Sequence, residues 1–447
     1  MPTKTLYLII FGFSLILTSC QDQTKKSPPN IIFILTDDMG YGDLSSYGNP
    51  LINTPNIDQM AAQGVRFTSY YAPSSVCTPS RAASLTGRYA LRNAPFNFGP
   101  SSNKGLPTSE ITITNVLKTV GYKTAAIGKW HLGHLPQFMP NERGFDYFYG
   151  LPYSNDMILP WCPWLNDTHK LNMYQNENII REVGKKQENL ITEYTQEAIN
   201  FIESNKSDPF FIYLAHSMPH LPVSAPKKLQ NKSLGGKYGD VIEALDESVG
   251  QILQKLKKEG LDKNTLVVFT SDNGPWHNLP ARMVTDGVAP WHTGSKSMFK
   301  GAKGTTYEGG HRVPAIMYWP ETIKANQTNR EVVSAIDFFP TFINIAGAKL
   351  PEQVNIDGQS LYPFENGIIN SKRKIFFYTH NDYVEGLRVN EWKLRITEEH
   401  GIELFNLNED QGEQYNLANE NFNLVKTLYN KMEAFAKETN SNVFNLN

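Results

Sequence analysis

Four short apolar runs recur along the chain, and polar or charged residues follow each of them directly. The runs are IIFIL at 31–35, YKTAAIG at 122–128, PFFIYLA at 209–215 and NTLVVFT at 264–270. A continuous apolar run without alternation is typical of a strand that is buried on both faces of a parallel sheet. Helical patterns separate the runs, at 54–64, 108–121, 189–205 and 238–260. Strands that alternate with helices predict an α/β fold with a large, mostly parallel sheet flanked by helices.

The pattern changes after about residue 365. The segments KIFFYTHN, GLRVNEWKLRI and IELFNLNED are short strand-like runs separated by turn residues, and a helical pattern follows at 421–438. This predicts a small C-terminal antiparallel sheet with one helix packed on it. We therefore expect a main domain at 30–365 and an α+β subdomain at 366–447.

The N-terminus has the pattern of an export signal. Lys4 precedes an apolar run from Leu6 to Leu17, which is too short for a comfortable membrane-spanning helix. The segment LTSC, which ends at Cys20, resembles the lipobox of bacterial lipoproteins. That resemblance implies a signal peptide at 1–19, a lipid anchor on Cys20 and a short tether at 20–29. The alternative is an ordinary secretory signal that is cut elsewhere, and both predict export, to the periplasm or the cell surface.

Charged or polar residues that could bind a ligand or take part in catalysis follow each predicted strand. The carboxyl ends of parallel strands meet at one edge of the sheet, where open α/β folds bind their ligands, so these residues are expected to share one cleft. In chain order they are Asp37 and Asp38, Lys129 and His131, His216 and His220, and Asp272 and Asn273.

Two of these pairs are suited to a metal ion. Asp37 with Asp38, and Asp272 with Asn273, offer only oxygen ligands, which suit Ca²⁺ or Mg²⁺. Each pair alone could instead cap a helix or form a turn. Adjacent carboxylates repel each other, and a cation at the shared edge removes that cost. Export favours Ca²⁺, with Mg²⁺ as the alternative.

Cys77 is one of three cysteines. Thr78 can cap a helix and Pro79 suits its first position, so Cys77 is predicted just before a helix N-terminus, with Arg81 one turn on. That place favours an anionic group, a thiolate included. A thiolate is a poor ligand for Ca²⁺, however, so an oxygen at residue 77 would suit the metal better. A disulfide with Cys162 is the alternative in an exported protein.

The segment CTPSRAASLTGR, which begins at Cys77, resembles the signature of the sulfatase family. In that family a maturation enzyme oxidises the cysteine to Cα-formylglycine, an aldehyde. Further segments occur in the family's order: ILTDDMGYGD, GKWHLG, ERGFDYFYGLPYSND, SDNG, KGAKGTTYEGGHRVP and ELFNLNED. The pattern is most similar to the arylsulfatase A and galactosamine-6-sulfatase type. The resemblance implies an alkaline-phosphatase-like sandwich that hydrolyses sulfate esters, with a formylglycine hydrate as the nucleophile.

The resemblance also implies a role for each matching residue. The matches to the Ca²⁺ ligands are Asp37, Asp38, Asp272 and Asn273, with formylglycine 77 also facing the ion. Arg81 and Lys129 match groups that hold and polarise the hydrate, and His131 matches a base that takes a proton from it. The residues that match groups contacting the sulfate ester are His220, Lys303 and Ser154, and the first two of these assist the leaving oxygen.

The stretch at 276–299 is longer and more aromatic than the resemblance leads us to expect. It lies between two segments of the predicted site, so it is predicted to line the substrate pocket, and a surface loop with its own packing is the alternative. The candidates for substrate contacts are Trp276, His277, Arg282, Trp291 and His292.

Composition narrows the partners. The net charge of −2 gives no basic excess, so nucleic acid is not an expected partner. For an exported lipoprotein of this kind we expect a sulfated carbohydrate rather than a small aryl sulfate. Two other classes remain open. One is a phosphoryl hydrolase or transferase of the alkaline phosphatase superfamily, which usually has a Thr or Ser nucleophile and Zn²⁺. The other is a non-catalytic lipoprotein that binds sulfated glycans.

Overall fold

A computed structural model describes residues 2–3 and 28–446 of the chain. The apolar run of the predicted signal peptide and the predicted lipid-bearing Cys20 lie outside the described residues. Within the described part, no helix has both the length and the apolar character that a membrane crossing requires.

Sixteen strands and eight α-helices form the described part of the chain. The strands are β1 Asn30–Thr36, β2 Val65–Phe67, β3 Tyr70–Tyr71, β4 Lys123–Lys129, β5 Tyr147–Leu151, β6 Asn172–Gln175, β7 Asn178–Glu182, β8 Phe210–Ala215, β9 Thr265–Ser271, β10 Ala315–Tyr318, β11 Gln327–Asn329, β12 Val333–Ser334, β13 Ile375–His380, β14 Tyr383–Val389, β15 Trp392–Thr397 and β16 Gly401–Asn406. The helices are α1 Pro55–Ala62, α2 Cys77–Thr86, α3 Ile113–Lys118, α4 Leu190–Asn205, α5 Gly236–Lys258, α6 Glu308–His311, α7 Phe338–Ile345 and α8 Phe422–Thr439.

A ten-stranded sheet forms the centre of the molecule, in the order β11-β2-β10-β9-β1-β8-β4-β5-β6-β7. The five strands from β9 to β5 pair in parallel, and the pairs that β10, β6 and β7 make are antiparallel. Side chains of β1 enter a separate core on each face: Ile32 and Ile34 on one side, Ile31 and Phe33 on the other. Each such buried side chain contributes roughly 1.5–3 kcal/mol. The predicted mostly parallel sheet with two covered faces is confirmed.

The C-terminal region also has the predicted form. Strands β13 to β16 make a four-stranded antiparallel sheet in sequence order. Helix α8 packs on it through Leu428 and Met432, which share one core with Phe376, Leu387 and Leu394. The predicted division at residue 365 stays a prediction.

The helical pattern at 108–121 yields only the six-residue helix α3. The helix starts late because Thr112 and Asn115 form a capping box: the Thr112 hydroxyl accepts the Asn115 N–H, and the Asn115 side chain accepts the Thr112 N–H.

Candidate active site

The predicted site residues meet at one edge of the large sheet. Strands β9, β1, β8, β4 and β5 are consecutive neighbours, so their carboxyl ends form a row. The row carries Asp272 and Asn273 after β9, Asp37 and Asp38 after β1, His220 after β8, Lys129 and His131 at the end of β4, and Ser154 after β5. Helix α2 adds Cys77 and Arg81, and the loop before α6 adds Lys303. These side chains are buried, except that of Lys303, which is 10% exposed.

Helix α2 begins at Cys77, two residues before the start that Pro79 predicts. Thr78 does not cap the helix, because its hydroxyl donates to the His131 carbonyl oxygen at 2.7 Å. The Sγ of Cys77 lies 3.3 Å from Asp37 Oδ1. Cys77 and Cys162 are both free thiols, so the alternative of a disulfide between them is wrong.

Four side chains are placed as ligands of one ion would be. Asp37, Asp38, Cys77 and His220 each bring one donor atom within 4.8 Å of the others. The amide nitrogen of Asn273 donates to Asp38 Oδ1 at 2.7 Å, while its buried Oδ1 has no hydrogen-bond partner among the described residues. A hard cation would satisfy the carboxylate oxygens of Asp37 and Asp38 and the amide oxygen of Asn273, so these three residues fit a Ca²⁺ or Mg²⁺ site.

Asp272 faces other partners. Its Oδ2 accepts hydrogen from Arg81 Nε at 2.9 Å and lies 2.8 Å from Arg81 NH2. Its Oδ1 accepts the backbone N–H of Asp38 at 3.2 Å. The role of Asp272 as a metal ligand therefore stays a prediction, whereas His220, which we expected only at the sulfate, also joins the cluster of possible ligands.

Each carboxylate of the site has its own basic partner. Lys129 Nζ lies 2.5 Å from Asp37 Oδ2, and Lys303 Nζ lies 2.7 Å from Asp38 Oδ1. Arg81, already paired with Asp272, also donates from NH1 to the Lys129 carbonyl oxygen at 2.8 Å. Three cations thus balance three carboxylates. A bound divalent ion would leave a positive surplus, which favours an anionic ester.

Burial and these ion pairs set the charges of the acidic groups. Burial alone would raise the pKa of Asp37, but Lys129, His220 and Arg81 outweigh it and hold that pKa well below its usual value. Burial and the Asp37 carboxylate raise the pKa of Asp272 to about 6. The same two causes raise the pKa of the Cys77 thiol well above its usual value. The expected gain of a thiolate at the helix N-terminus is therefore outweighed, and Cys77 is a neutral thiol.

The two histidines differ in their contacts. The Nδ1 of His220 lies 2.7 Å from the Leu221 carbonyl oxygen, so Nδ1 carries the hydrogen. Its Nε2 lies 3.4 Å from Ser154 Oγ and 3.6 Å from Asp38 Oδ2. Neither ring nitrogen of His131 has a hydrogen-bond partner in the described part of the chain. Burial and Lys129 hold the pKa of His131 well below its usual value, so its ring is neutral.

The backbone is unusual at three points around the site. Asp38 and His131 have φ values of 64° and 59°, which non-glycine residues seldom adopt and which cluster at functional sites. Gly128 precedes Lys129 with a φ of 107°, and a Cβ there would lie 1.9 Å from the Ala215 carbonyl oxygen. Only glycine therefore lets β4 pass β8 closely enough to place Lys129 beside Asp37.

The stretch at 276–299 reaches the site through Trp276, and Arg282 lies next to the Trp276 ring. The Trp276 ring centre lies 5.5 Å from that of His220 and 4.7 Å from Lys303 Nζ. The Arg282 guanidinium lies 5.8 Å from the Trp276 ring centre. His277 bonds to the Gly294 carbonyl oxygen at 2.7 Å and His292 to the Ala289 N–H at 3.1 Å, while the Trp291 side chain is 77% exposed.

Sequence reasoning missed a group of residues on the opposite loop. Asp156, Trp161 and Trp164 follow Ser154 and contact Arg282. Their nearness to Ser154 in the sequence was the one available signal, since no local pattern connects them with a residue more than 100 positions away.

Comparison with known proteins adds an independent finding. A family model described as "Sulfatase" matches residues 29–348, and one described as "N-sulphoglucosamine sulphohydrolase, C-terminal" matches residues 297–439. The chain is 41% identical over 373 residues to N-acetylgalactosamine-6-sulfatase of Rattus norvegicus, covering 79% of this chain and 69% of that protein. It is 38% identical over 403 residues to arylsulfatase G of Mus musculus, covering 83% and 75%.

The fold has a similar relative among solved structures. The crystal structure of Ps i-CgsB in complex with k-i-k-neocarrahexaose superposes with a TM-score of 0.77 at 32% sequence identity. The match covers 92% of this chain and 93% of that one.

Proposed function

The chain belongs to the sulfatase family and is a sulfuric ester hydrolase, and from this premise we propose that it removes sulfate from a carbohydrate by means of Ca²⁺ and a formylglycine made from Cys77. The observation that carries the proposal is the meeting of Asp37, Asp38, Cys77 and His220 within 4.8 Å, at the start of the helix that bears the matching segment.

Two relatives support a carbohydrate as the substrate. One is named for a sulfate on N-acetylgalactosamine, and the other was crystallised with a hexaose. The aromatic Trp276 beside His220 and Lys303 is also suited to a sugar, because carbohydrate sites combine apolar rings with a few placed polar groups.

The modified residue and the ion supply the chemistry that the unmodified chain lacks. When present, formylglycine 77 supplies a hydroxyl nucleophile in its hydrated form, and Ca²⁺ supplies charge stabilisation. Asp37, Asp38 and Asn273 are the residues that would hold the ion, with Asp272 as a further candidate. A dedicated maturation enzyme of the host is proposed to make the aldehyde.

Basic side chains bind and orient the ester. Lys129 and Arg81 are fixed in place by Asp37 and Asp272, so their charge needs little reorganisation when an anion binds. Lys129 Nζ also lies 3.3 Å from Ser154 Oγ, which places a hydroxyl next to the cation. The sulfate oxygens are proposed to bind to these two cations and to the Ser154 hydroxyl.

His220 and Lys303 are proposed to act on the leaving oxygen. Both contact Trp276, so they lie on the same side of the site as the ring that would meet the sugar. The Leu221 carbonyl oxygen holds the Nδ1 hydrogen of His220, so Nε2 is the atom that faces the ester. The imidazolium form, which carries a second hydrogen on Nε2, is proposed to give that hydrogen to the departing alcohol and to return to the neutral ring. His131, which is neutral, is proposed as the base that restores the nucleophile.

Sulfate release tests the proposal. The enzyme, made with its maturation partner, is incubated with a panel of sulfated carbohydrates and with nitrophenyl sulfate and nitrophenyl phosphate. We expect sulfate from at least one sulfate ester, one bound Ca²⁺ and no release by the Cys77→Ala variant. Faster phosphate release with stoichiometric zinc would contradict the proposal, as would binding of a glycan from which no sulfate is ever released.

We further propose that the protein is exported and anchored by a lipid on Cys20, in the periplasm or at the cell surface. The segment LTSC supports this. A Cys20→Ala variant should move from the membrane to the soluble fraction, and an equal membrane fraction in both proteins would contradict the anchor.

A further inference from the structure

Two loops that leave the active site meet again at Arg282. The loop after β5 carries Ser154 near its start, and the loop after β9 begins with Asp272. Arg282, on the second loop, donates from NH1 to the carbonyl oxygen of Trp161 on the first, across 121 positions of sequence. The contact between Arg282 and Trp161 therefore joins two loops that both start at the active site.

One part of the Arg282 guanidinium is anchored and the rest is open. NH1 lies 3.6 Å from Asp156 Oδ2, and the guanidinium carbon lies 4.9 Å from the Trp164 ring centre. Within residues 28–446, the Nε and NH2 groups donate no hydrogen bond, and the side chain is 24% exposed. A planar guanidinium held in this way can present two parallel donors to an anionic group.

Aromatic rings lie on the path from Arg282 to the reacting groups. The Trp276 ring contacts both Arg282 and the pair His220 and Lys303. Its centre lies 5.8 Å from the Arg282 guanidinium carbon, 5.5 Å from the His220 ring centre and 4.7 Å from Lys303 Nζ. Trp164, the second indole next to Arg282, is 63% exposed. An exposed indole suits a ligand with one apolar and one polar face, as a pyranose has.

Resting on the proposed function, we propose that Arg282, Trp164 and Trp276 form a subsite for an acidic group of the carbohydrate substrate. The group is a carboxylate or a second sulfate, and it lies beyond the ester that is cleaved. Trp276 packs against the sugar that carries this ester, and Arg282 binds the acidic group through its open edge. The enzyme thereby prefers a substrate with two anionic groups over one that bears the ester alone.

Calorimetry with three probes tests the subsite. The probes are N-acetylgalactosamine 6-sulfate, the same sugar linked to glucuronate, and its 4,6-disulfate, each titrated into Ca²⁺-loaded Cys77→Ala protein, which cannot turn them over. We expect the glucuronate-linked probe or the disulfate to bind about 10- to 100-fold more tightly than the monosulfate. Hydrogen bonds to a charged group strengthen binding by about this factor. The glucuronate and the disulfate distinguish the two sources of the anion.

The variant Arg282→Gln should abolish this preference, and Arg282→Lys should keep part of it, because the charge remains while the fork is lost. The matched control is Lys185→Gln, at a residue that follows β7 and contacts the same two loops. Lys185 Nζ lies 5.9 Å from the ring centre of Trp161 on the first loop and 2.7 Å from Asp286 Oδ2 on the second. This variant should keep the full preference. If Arg282 only ties the loops together, Arg282→Gln weakens all three probes equally, and the proposal is wrong.

Absence of any preference in the parent protein also overturns the subsite. Sulfate release by the mature enzyme separates this outcome from failure of the proposed function. Release without an effect of Arg282 refutes the subsite alone, whereas no release from any sulfate ester refutes the proposed function.

Discussion

Replacement of Lys393 by methionine probes the buried ion cluster that joins the C-terminal sheet to the loop carrying Lys303. Lys393 is completely buried, and its Nζ lies 3.0 Å from Glu308 Oε1 and 2.7 Å from Glu413 Oε1. Glu308 starts α6, five residues after Lys303. Methionine keeps much of the length of the side chain, so the main change is the loss of its charge.

The two glutamates differ in the partners that remain after Lys393 is replaced. Glu308 keeps Arg312 at 3.3 Å and the Tyr378 hydroxyl at 2.6 Å, whereas Glu413 loses its close cation. Breaking a buried ion pair costs about 3–5 kcal/mol of unfolding free energy. Protonation of Glu413 limits this cost, because burial and Glu308 already raise its pKa from 4.5 to about 7, against the opposing effect of Lys393.

The sign of the pH dependence follows from this pKa. Folded Glu413 binds its proton more tightly than the unfolded chain does, so it lowers stability as the pH rises from 4.5 to about 7. Without Lys393 the folded pKa rises further, and the decline continues above that pH by up to about 1.4 kcal/mol per pH unit. The destabilisation caused by Lys393→Met should therefore grow as the pH rises above about 7.

Urea unfolding, followed by tryptophan fluorescence below and above pH 7, measures this difference. Lys228→Met is the control: it removes an exposed ion pair with Glu247, at 2.5 Å, and should cost less than about 1 kcal/mol. The reasoning is refuted if Lys393→Met costs no more than the control, or if its cost is the same on both sides of pH 7.

Three further predictions concern the site itself. Lys303→Met should lower kcat/KM for a sulfate ester about 10²- to 10³-fold, since it removes a placed charge, while Lys300→Met in the same loop should have little effect; equal losses would contradict the role of Lys303. Gly128→Ala should lower the midpoint of thermal unfolding much more than Gly121→Ala. Both positions have a positive φ, but only a Cβ at residue 128 meets another atom, the Ala215 carbonyl oxygen at 1.9 Å. Similar midpoints would contradict the close passage of the strands. Asp37→Asn should reduce bound Ca²⁺ in equilibrium dialysis, and full retention would contradict its role as a ligand.

The sheet and the edge that carries the site could be predicted from the sequence. A strand buried on both faces needs consecutive apolar residues, and β1 has them from Ile31 to Leu35 and β9 from Leu266 to Phe269. The bounds of both strands differ from the predicted runs by one residue at each end. Parallel pairing then requires the residues that follow these strands to meet. The convergence of Asp37, Lys129, His220 and Asp272 follows from topology alone.

Contacts between distant loops could not be predicted. The pairing of Arg282 with Trp164, and of Lys393 with Glu308, joins side chains that share no periodic pattern. The start of α2 was missed for a related reason. Thr78 has a hydroxyl suited to capping, but a tertiary hydrogen bond to His131 uses it instead, and the helix begins at Cys77. Local preference yields to a partner that only the fold supplies.

Conversion of Cys77 to formylglycine is the step on which the proposed chemistry depends, and mass spectrometry measures it directly. Trypsin releases residue 77 in the peptide 67–81, bounded by Arg66 and Arg81. Protein from a host with the maturation enzyme, active in sulfate release, should yield this peptide with an aldehyde in place of the thiol. An unmodified thiol at residue 77 throughout such an active preparation would contradict the proposed nucleophile.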